Sequence, residues 1–130
     1  MATKQSARHA TRKKALRTSL KVGDPVMVIS GGNSKKGKQL KGATGKILRF
    51  LPKSERVVVE GVNMIKRHKR SMQMNDSAGI IEKEGSVHLS NVMYYSEDLK
   101  RPVRLSSKRL DDGTKVRGFV HPESKTFEQI

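Results

Sequence analysis

The chain has no cysteine and no tryptophan. Without cysteine there is no disulfide and no thiolate-held zinc or iron–sulfur cluster, and a reducing compartment is the simplest setting. Aromatic residues are scarce: Phe50, Tyr94, Tyr95, Phe119 and Phe127 make up 4% of 130 residues. A sheet that stacks single-stranded bases needs exposed aromatics on adjacent strands. The required motifs are absent, and Phe50 is expected in the core instead. No apolar run approaches the ~20 residues that span a bilayer, and the N-terminus lacks the apolar block of a secretory signal. There is no Gly-x-Ser-x-Gly elbow to expose a serine nucleophile. His9, His68, His88 and His121 share no metal-ligand spacing. The expectation is a protein with no catalytic centre, no metal and no cofactor.

Acid is the other scarce class, and its absence is local. Residues 1–70 hold nineteen Lys and Arg against three Asp and Glu, a net +16, whereas residues 71–130 hold nine of each. Such a one-signed field repels itself unless a polyanion neutralises it. Nucleic acid is therefore the favoured partner, ahead of an anionic membrane or an acidic protein.

What is present reads as strands and turns. Residues 1–19 hold six basic side chains, no acid and only Leu16 as a bulky aliphatic beyond Met1. That stretch is expected to be a basic, disordered tail that folds on a partner, with an organelle transit peptide as the alternative. Gly23-Asp24-Pro25 marks a turn and Val26–Ile29 a buried strand. The lysine- and glycine-rich stretch 31–43 is too polar for a core and too broken for a helix. Thr44–Leu51 and Arg56–Glu60 are expected strands around the turn at Pro52-Lys53-Ser54-Glu55. Val62–Arg70 begins apolar and ends in a basic cluster, 71–79 is a loop, and Ile80–Val87 and Val92–Tyr95 are two further strands. Val103-Arg104-Leu105 is expected to face Lys115–Val120 across Asp112-Gly113, a favoured hairpin pair. Strands this short and evenly spaced indicate an all-β fold built on a small barrel.

Two features invite sharper chemistry and fail it. Residues 32–38 match the first seven places of a phosphate-cradling nucleotide loop, but Gln39 stands where Ser or Thr should hold Mg²⁺, and Gly42 and Gly45 break the required helix. Glu82 and Glu84 lie two apart, so on a strand they share one face; a solvated face explains them without a pocket. His68, inside the basic cluster, either contacts phosphate or base or is an exposed bystander. Met72 and Met74, in a polar loop, either pack into an RNA crevice or against a passing chain, or are simply exposed.

The order of pieces resembles a known family. Val22-Gly23-Asp24-Pro25-Val26-Met27-Val28-Ile29-Ser30-Gly31, a lysine/glycine loop, Gly45-Lys46-Ile47-Leu48 and Val57-Val58-Val59-Glu60-Gly61-Val62-Asn63 look like a KOW motif. With Lys66, His68, Gly79-Ile80-Ile81-Glu82-Lys83-Glu84, Ser90-Asn91-Val92, Arg104 and Asp112-Gly113-Thr114-Lys115-Val116-Arg117, the chain resembles bacterial-type large-subunit ribosomal protein L twenty-four over about 20–130. The loop from Gly31 to Gly42 and the tail 1–19 are longer than is usual in that family.

The resemblance implies an SH3-like (KOW) barrel over 20–98, a C-terminal β-hairpin extension over 99–130 and the basic tail over 1–19. It implies a structural constituent of the large ribosomal subunit, bound to large-subunit ribosomal RNA near its 5′ end and active early in assembly. The implied partners are that RNA, neighbouring ribosomal proteins, and the nascent chain or factors at the tunnel exit, with the chain a monomer within the ribosome. The implied setting is the cytoplasm, or an organelle ribosome if 1–19 is a transit peptide. A KOW-type transcription-elongation module that binds polymerase and RNA is the alternative. The candidate RNA-binding residues are Arg12, Lys13, Lys14, Arg17, Lys21, Lys35, Lys36, Lys38, Lys41, Lys46, Lys53, Arg56, Asn63, Lys66, Arg67, His68, Lys69 and Arg70. The loop implied to lie at the tunnel exit comprises Ser71, Met72, Gln73, Met74 and Asn75.

Overall fold

A computed structural model describes residues 16–33, 38–70 and 79–130. Most of the expected tail lies outside the described residues. So do Arg12, Lys13, Lys14, Lys35 and Lys36, and the loop residues Ser71, Met72, Gln73, Met74 and Asn75.

Among the described residues the chain is all-β, with no α-helix. The first strands are β1 (Pro25–Val28), β2 (Gly32–Asn33), β3 (Lys38–Gln39), β4 (Thr44–Leu51), β5 (Arg56–Val59) and β6 (Met64–Lys69). Then follow β7 (Gly79–Glu84), β8 (Ser86–His88), β9 (Val92–Ser96) and β10 (Arg101–Val103). The last three are β11 (Leu105–Arg109), β12 (Lys115–Val120) and β13 (Phe127–Gln129). Two 3₁₀ turns, Pro52–Ser54 and Leu89–Asn91, join β4 to β5 and β8 to β9.

Six strands form one antiparallel sheet in the order β10-β9-β1-β4-β5-β8. Chain connectivity forces it to curl. β8 is one edge and β9 lies next to the other, yet only the turn at Leu89–Asn91 joins them, and three residues span at most about 11 Å. That turn is bonded toward both sides. Leu89 N–H donates to the Glu55 carbonyl at 3.0 Å, ahead of β5, and Ile29 N–H donates to the Asn91 carbonyl at 2.9 Å, just after β1. β4 bends to match: Thr44–Lys46 pair with β1, Ile47–Leu51 pair with β5, and the register shifts between Ile47 and Arg49. A bulge of this kind adds bend and twist to its strand.

The curled sheet encloses Val26, Val28, Ile47, Val57, Val59, Val62, Val87 and Val92. Leu20, Leu40, Ala43, Phe50 and Leu89 pack around them, so Phe50 is a core residue as expected, although half-buried. Valine dominates because a side chain stiff at χ1 fits a pleated, one-sided surface. Each one fully buried contributes about 1.5–3 kcal/mol of transfer free energy.

Two expectations about strands need correction. Ile80–Val87 is two strands, because the chain changes partners at Gly85: β7 pairs with β6 and β8 pairs with β5. Gly85 N–H donates to the Asn63 carbonyl at 2.8 Å, and a Cβ there would lie 2.9 Å from that oxygen and 2.8 Å from the Asn63 amide nitrogen. Only glycine lets the strand pass so close and switch sheets. Val103 does not face β12 either. It pairs with Tyr94 in the six-stranded sheet, and the hairpin begins at Leu105, opposite Phe119. The C-terminal hairpin is present as β11 and β12, and β13 joins it as a third strand in the order β11-β12-β13.

Candidate nucleic-acid interface

The candidate side chains separate into those that face water and those the fold uses itself. Arg17 and Lys21 are exposed ahead of β1, Lys41 ahead of β4, and Lys53 in the first 3₁₀ turn. Lys38 lies on β3. On β4, Lys46 is exposed, and so is Arg49, which the sequence reading did not select. The bulge between Ile47 and Arg49 turns both Leu48 and Arg49 outward, where strict alternation would hide one of the two.

Arg56 and Asn63 are different. Arg56 is half-buried; its Nε donates to Ser86 Oγ at 2.7 Å and its Nη2 to the Ser86 carbonyl at 2.7 Å. Asn63 Nδ2 donates to the same carbonyl at 3.1 Å. Asn63 also has φ of 56°, a left-handed conformation that asparagine tolerates better than most residues. Two side chains thus clamp the start of β8 beside the Gly85 crossing.

The densest group of exposed basic side chains lies on the β6–β7 ribbon, where Lys66, Arg67, His68 and Lys69 follow one another and Arg70 comes directly after. None of these side chains is buried, so none is held by the core. Lys66 Nζ lies 3.3 Å from Glu82 Oε1 across the ribbon, a pair open to solvent on both sides. A pair so exposed adds little to stability. Glu82 and Glu84 share one face of β7, as expected from their spacing. Histidines 88 and 121 have local duties: His88 Nδ1 accepts from Ser90 N–H at 3.2 Å, and His121 Nδ1 accepts from Glu123 and Ser124 N–H groups, both at 3.2 Å.

The family model described as large ribosomal subunit protein uL24, C-terminal domain, matches residues 62–123. A large ribosomal subunit protein uL24 of Geobacter metallireducens is 48% identical over 98 residues, covering 75% of this chain and 83% of the relative. The chain belongs to the uL24 family. The same-named protein of Macrococcus caseolyticus is 45% identical over 98 residues, covering 75% and 88% of the two chains. That of Clostridium perfringens is 41% identical over 102 residues, covering 78% and 91%. Proteins of the uL24 family are structural constituents rather than enzymes, in line with a chain whose conspicuous side chains are exposed cations.

One pair that matters for the uL24 architecture was not read from the sequence. Arg117 on β12 grips Asp24 at the entrance to β1 with two guanidinium nitrogens. Nη1 bonds to Oδ2, and Nη2 bonds to Oδ1 at 3.1 Å. Nη1 also donates to the Ser19 carbonyl at 2.9 Å, while Asp24 Oδ2 accepts from Lys21 N–H at 2.7 Å. The side chains are 18% and 12% exposed, so this ion pair is largely withdrawn from water. Tyr94 and Phe119 stack beside it with ring centroids 6.5 Å apart. Burial, and after it the Asp24 carboxylate, raises the Tyr94 pKa above 10.0. A signal was available: Asp24 is one of only three acids in the first seventy residues.

Proposed function

We propose that this chain is an architectural subunit of the large ribosomal subunit that binds large-subunit ribosomal RNA near its 5′ end and acts early in assembly. The carrying observation is the pair of exposed cations Arg67 and Lys69 on β6, with Arg70 directly after, presented by a ribbon that contributes nothing to the barrel's core cluster. Family membership supports the reading. Lys46 and Arg49 on β4, with Lys41 and Lys53 at its ends, add further cations on the same rigid framework. Phosphate contacts position the protein without reading sequence, and the shape of the folded RNA selects the place. Ser71, Met72, Gln73, Met74 and Asn75, between β6 and β7, then lie beside the mouth of the nascent-peptide tunnel in this proposal. Neighbouring ribosomal proteins are the remaining partners, and the ribosome is the setting.

The test is binding of the full chain to a large-subunit rRNA transcript over a range of salt. The log–log slope should be steep, about −0.7 to −0.9 for each phosphate contact, and the protein should co-sediment with large subunits through a moderate-salt wash. Weak, salt-insensitive binding at low ionic strength would overturn the proposal.

A further inference from the structure

The β6–β7 ribbon has two unlike faces, and antiparallel register assigns every side chain to one of them. Directly opposed residues share a face and successive residues alternate. One face carries Ile65, Arg67 and Lys69 opposite Lys83, Ile81 and Gly79. The other carries Met64, Lys66 and His68 opposite Glu84, Glu82 and Ile80. The first face thus has three cations and no acid; the second has Lys66, His68 and two carboxylates. The cluster that reads in sequence as uniformly basic is, in space, a ribbon whose two carboxylates both lie on one side.

We propose that RNA lies against the Arg67, Lys69 and Lys83 face of this ribbon, and that the Lys66–Glu82 face looks away from it. This rests on the RNA-binding reading above and divides its most cationic element. Arg67 and Lys69 are two residues apart on one strand, about 7 Å, a separation of the order of that between successive phosphates on one RNA strand. Lys83 sits diagonally across from Arg67 at about 7–8 Å. Between them Ile81, 46% exposed and opposite Arg67, gives a ribose or base an apolar surface to rest on. On the other face Lys66 is already matched to Glu82 at 3.3 Å. A phosphate approaching it meets two carboxylates, and like charge brought together in a partly desolvated contact opposes binding. Lys83 enters the footprint although it stands among glutamates in the sequence, and Lys66 leaves it although it opens the basic run.

Four single-charge variants of the full chain, Arg67→Gln, Lys69→Gln, Lys83→Gln and Lys66→Gln, decide the matter against a large-subunit rRNA transcript. All four side chains are exposed, and circular dichroism checks that each variant keeps the fold. The first three should each weaken binding several-fold and flatten the salt slope by roughly 0.7. Lys66→Gln should leave both within about twofold of the parent. A Lys66→Gln loss equal to that of Arg67→Gln, or an unchanged slope in all four, overturns the two-faced assignment while the parent's binding still stands. A parent that does not bind the transcript overturns the RNA reading itself, and this assignment with it.

Discussion

A guanidinium turned inward is a different object from one that faces water. Arg67 and Arg117 are both arginines on strands, yet Arg117 is closed over Asp24 by two hydrogen bonds and Arg67 stands in solvent. Removing one partner of a largely buried pair strands the other charge. Arg117→Met should therefore cost about 3 kcal/mol in urea unfolding, and the double variant with Asp24→Asn should cost less than Arg117→Met alone. Equal losses in the two would mean that the pair does not act as a unit. Arg67→Met, by contrast, should change stability by less than about 0.5 kcal/mol, because nothing buried depends on it. Tyr94 adds a titration at the same junction. Its folded-state pKa lies above the 10.0 of the free side chain, so the folded chain holds that proton more tightly than the unfolded one. The resulting stability is complete below pH 10 and drains away as pH rises through the folded value. In alkaline unfolding curves Tyr94→Phe should lose less stability than the parent above pH 10, and lysine deprotonation, common to both, drops out of the comparison. Coincident curves would remove Tyr94 from the account.

Elements in this fold are joined by close backbone approaches that side chains would block. Gly45 on β4 is the clearest. A Cβ built there would stand 2.3 Å from the Glu60 carbonyl and 3.0 Å from a Val59 methyl. At the same place Glu60 N–H donates to the Lys46 carbonyl at 2.9 Å. Gly45→Ala must push β4 away from the end of β5 and should destabilise by about 1–3 kcal/mol, read as a lower urea midpoint. A midpoint within experimental error of the parent would show that the two strands part freely. Much at this scale was legible beforehand. The valine runs of β1 and β5, the turn at Pro52-Lys53-Ser54-Glu55 and the Asp112-Gly113 hairpin rest on local period and turn chemistry. Local signals also carry their own limit. Nothing in Gly85 by itself tells that the chain leaves β6 for β5 at that point. β13, at Phe127–Gln129, is too short and too polar to declare itself without the strand it pairs with.

At the scale of the whole molecule, composition carried the functional class and register carried the detail. An excess of sixteen positive charges confined to residues 1–70 is visible in any count. Whether a given cation faces outward depends on pairings between distant residues. Arg56 and Asn63 belong to the basic, loop-bearing half by sequence, yet both reach Ser86, thirty and twenty-three residues further on. Asp24 and Arg117 are separated by ninety-three residues. No period or spacing rule spans such distances.

β1 is held between β4 on one side and β9 on the other, and β9 begins only at Val92. The cationic half, 1–70, is consequently not an excisable unit. A fragment cut at that charge boundary would leave β1 and β5 with bare edges and the valine cluster without Val87 and Val92. Electrostatic frontier and folding frontier fall at different places along the chain. The polycation is made first, and its scaffold is finished only by residues that carry no net charge at all.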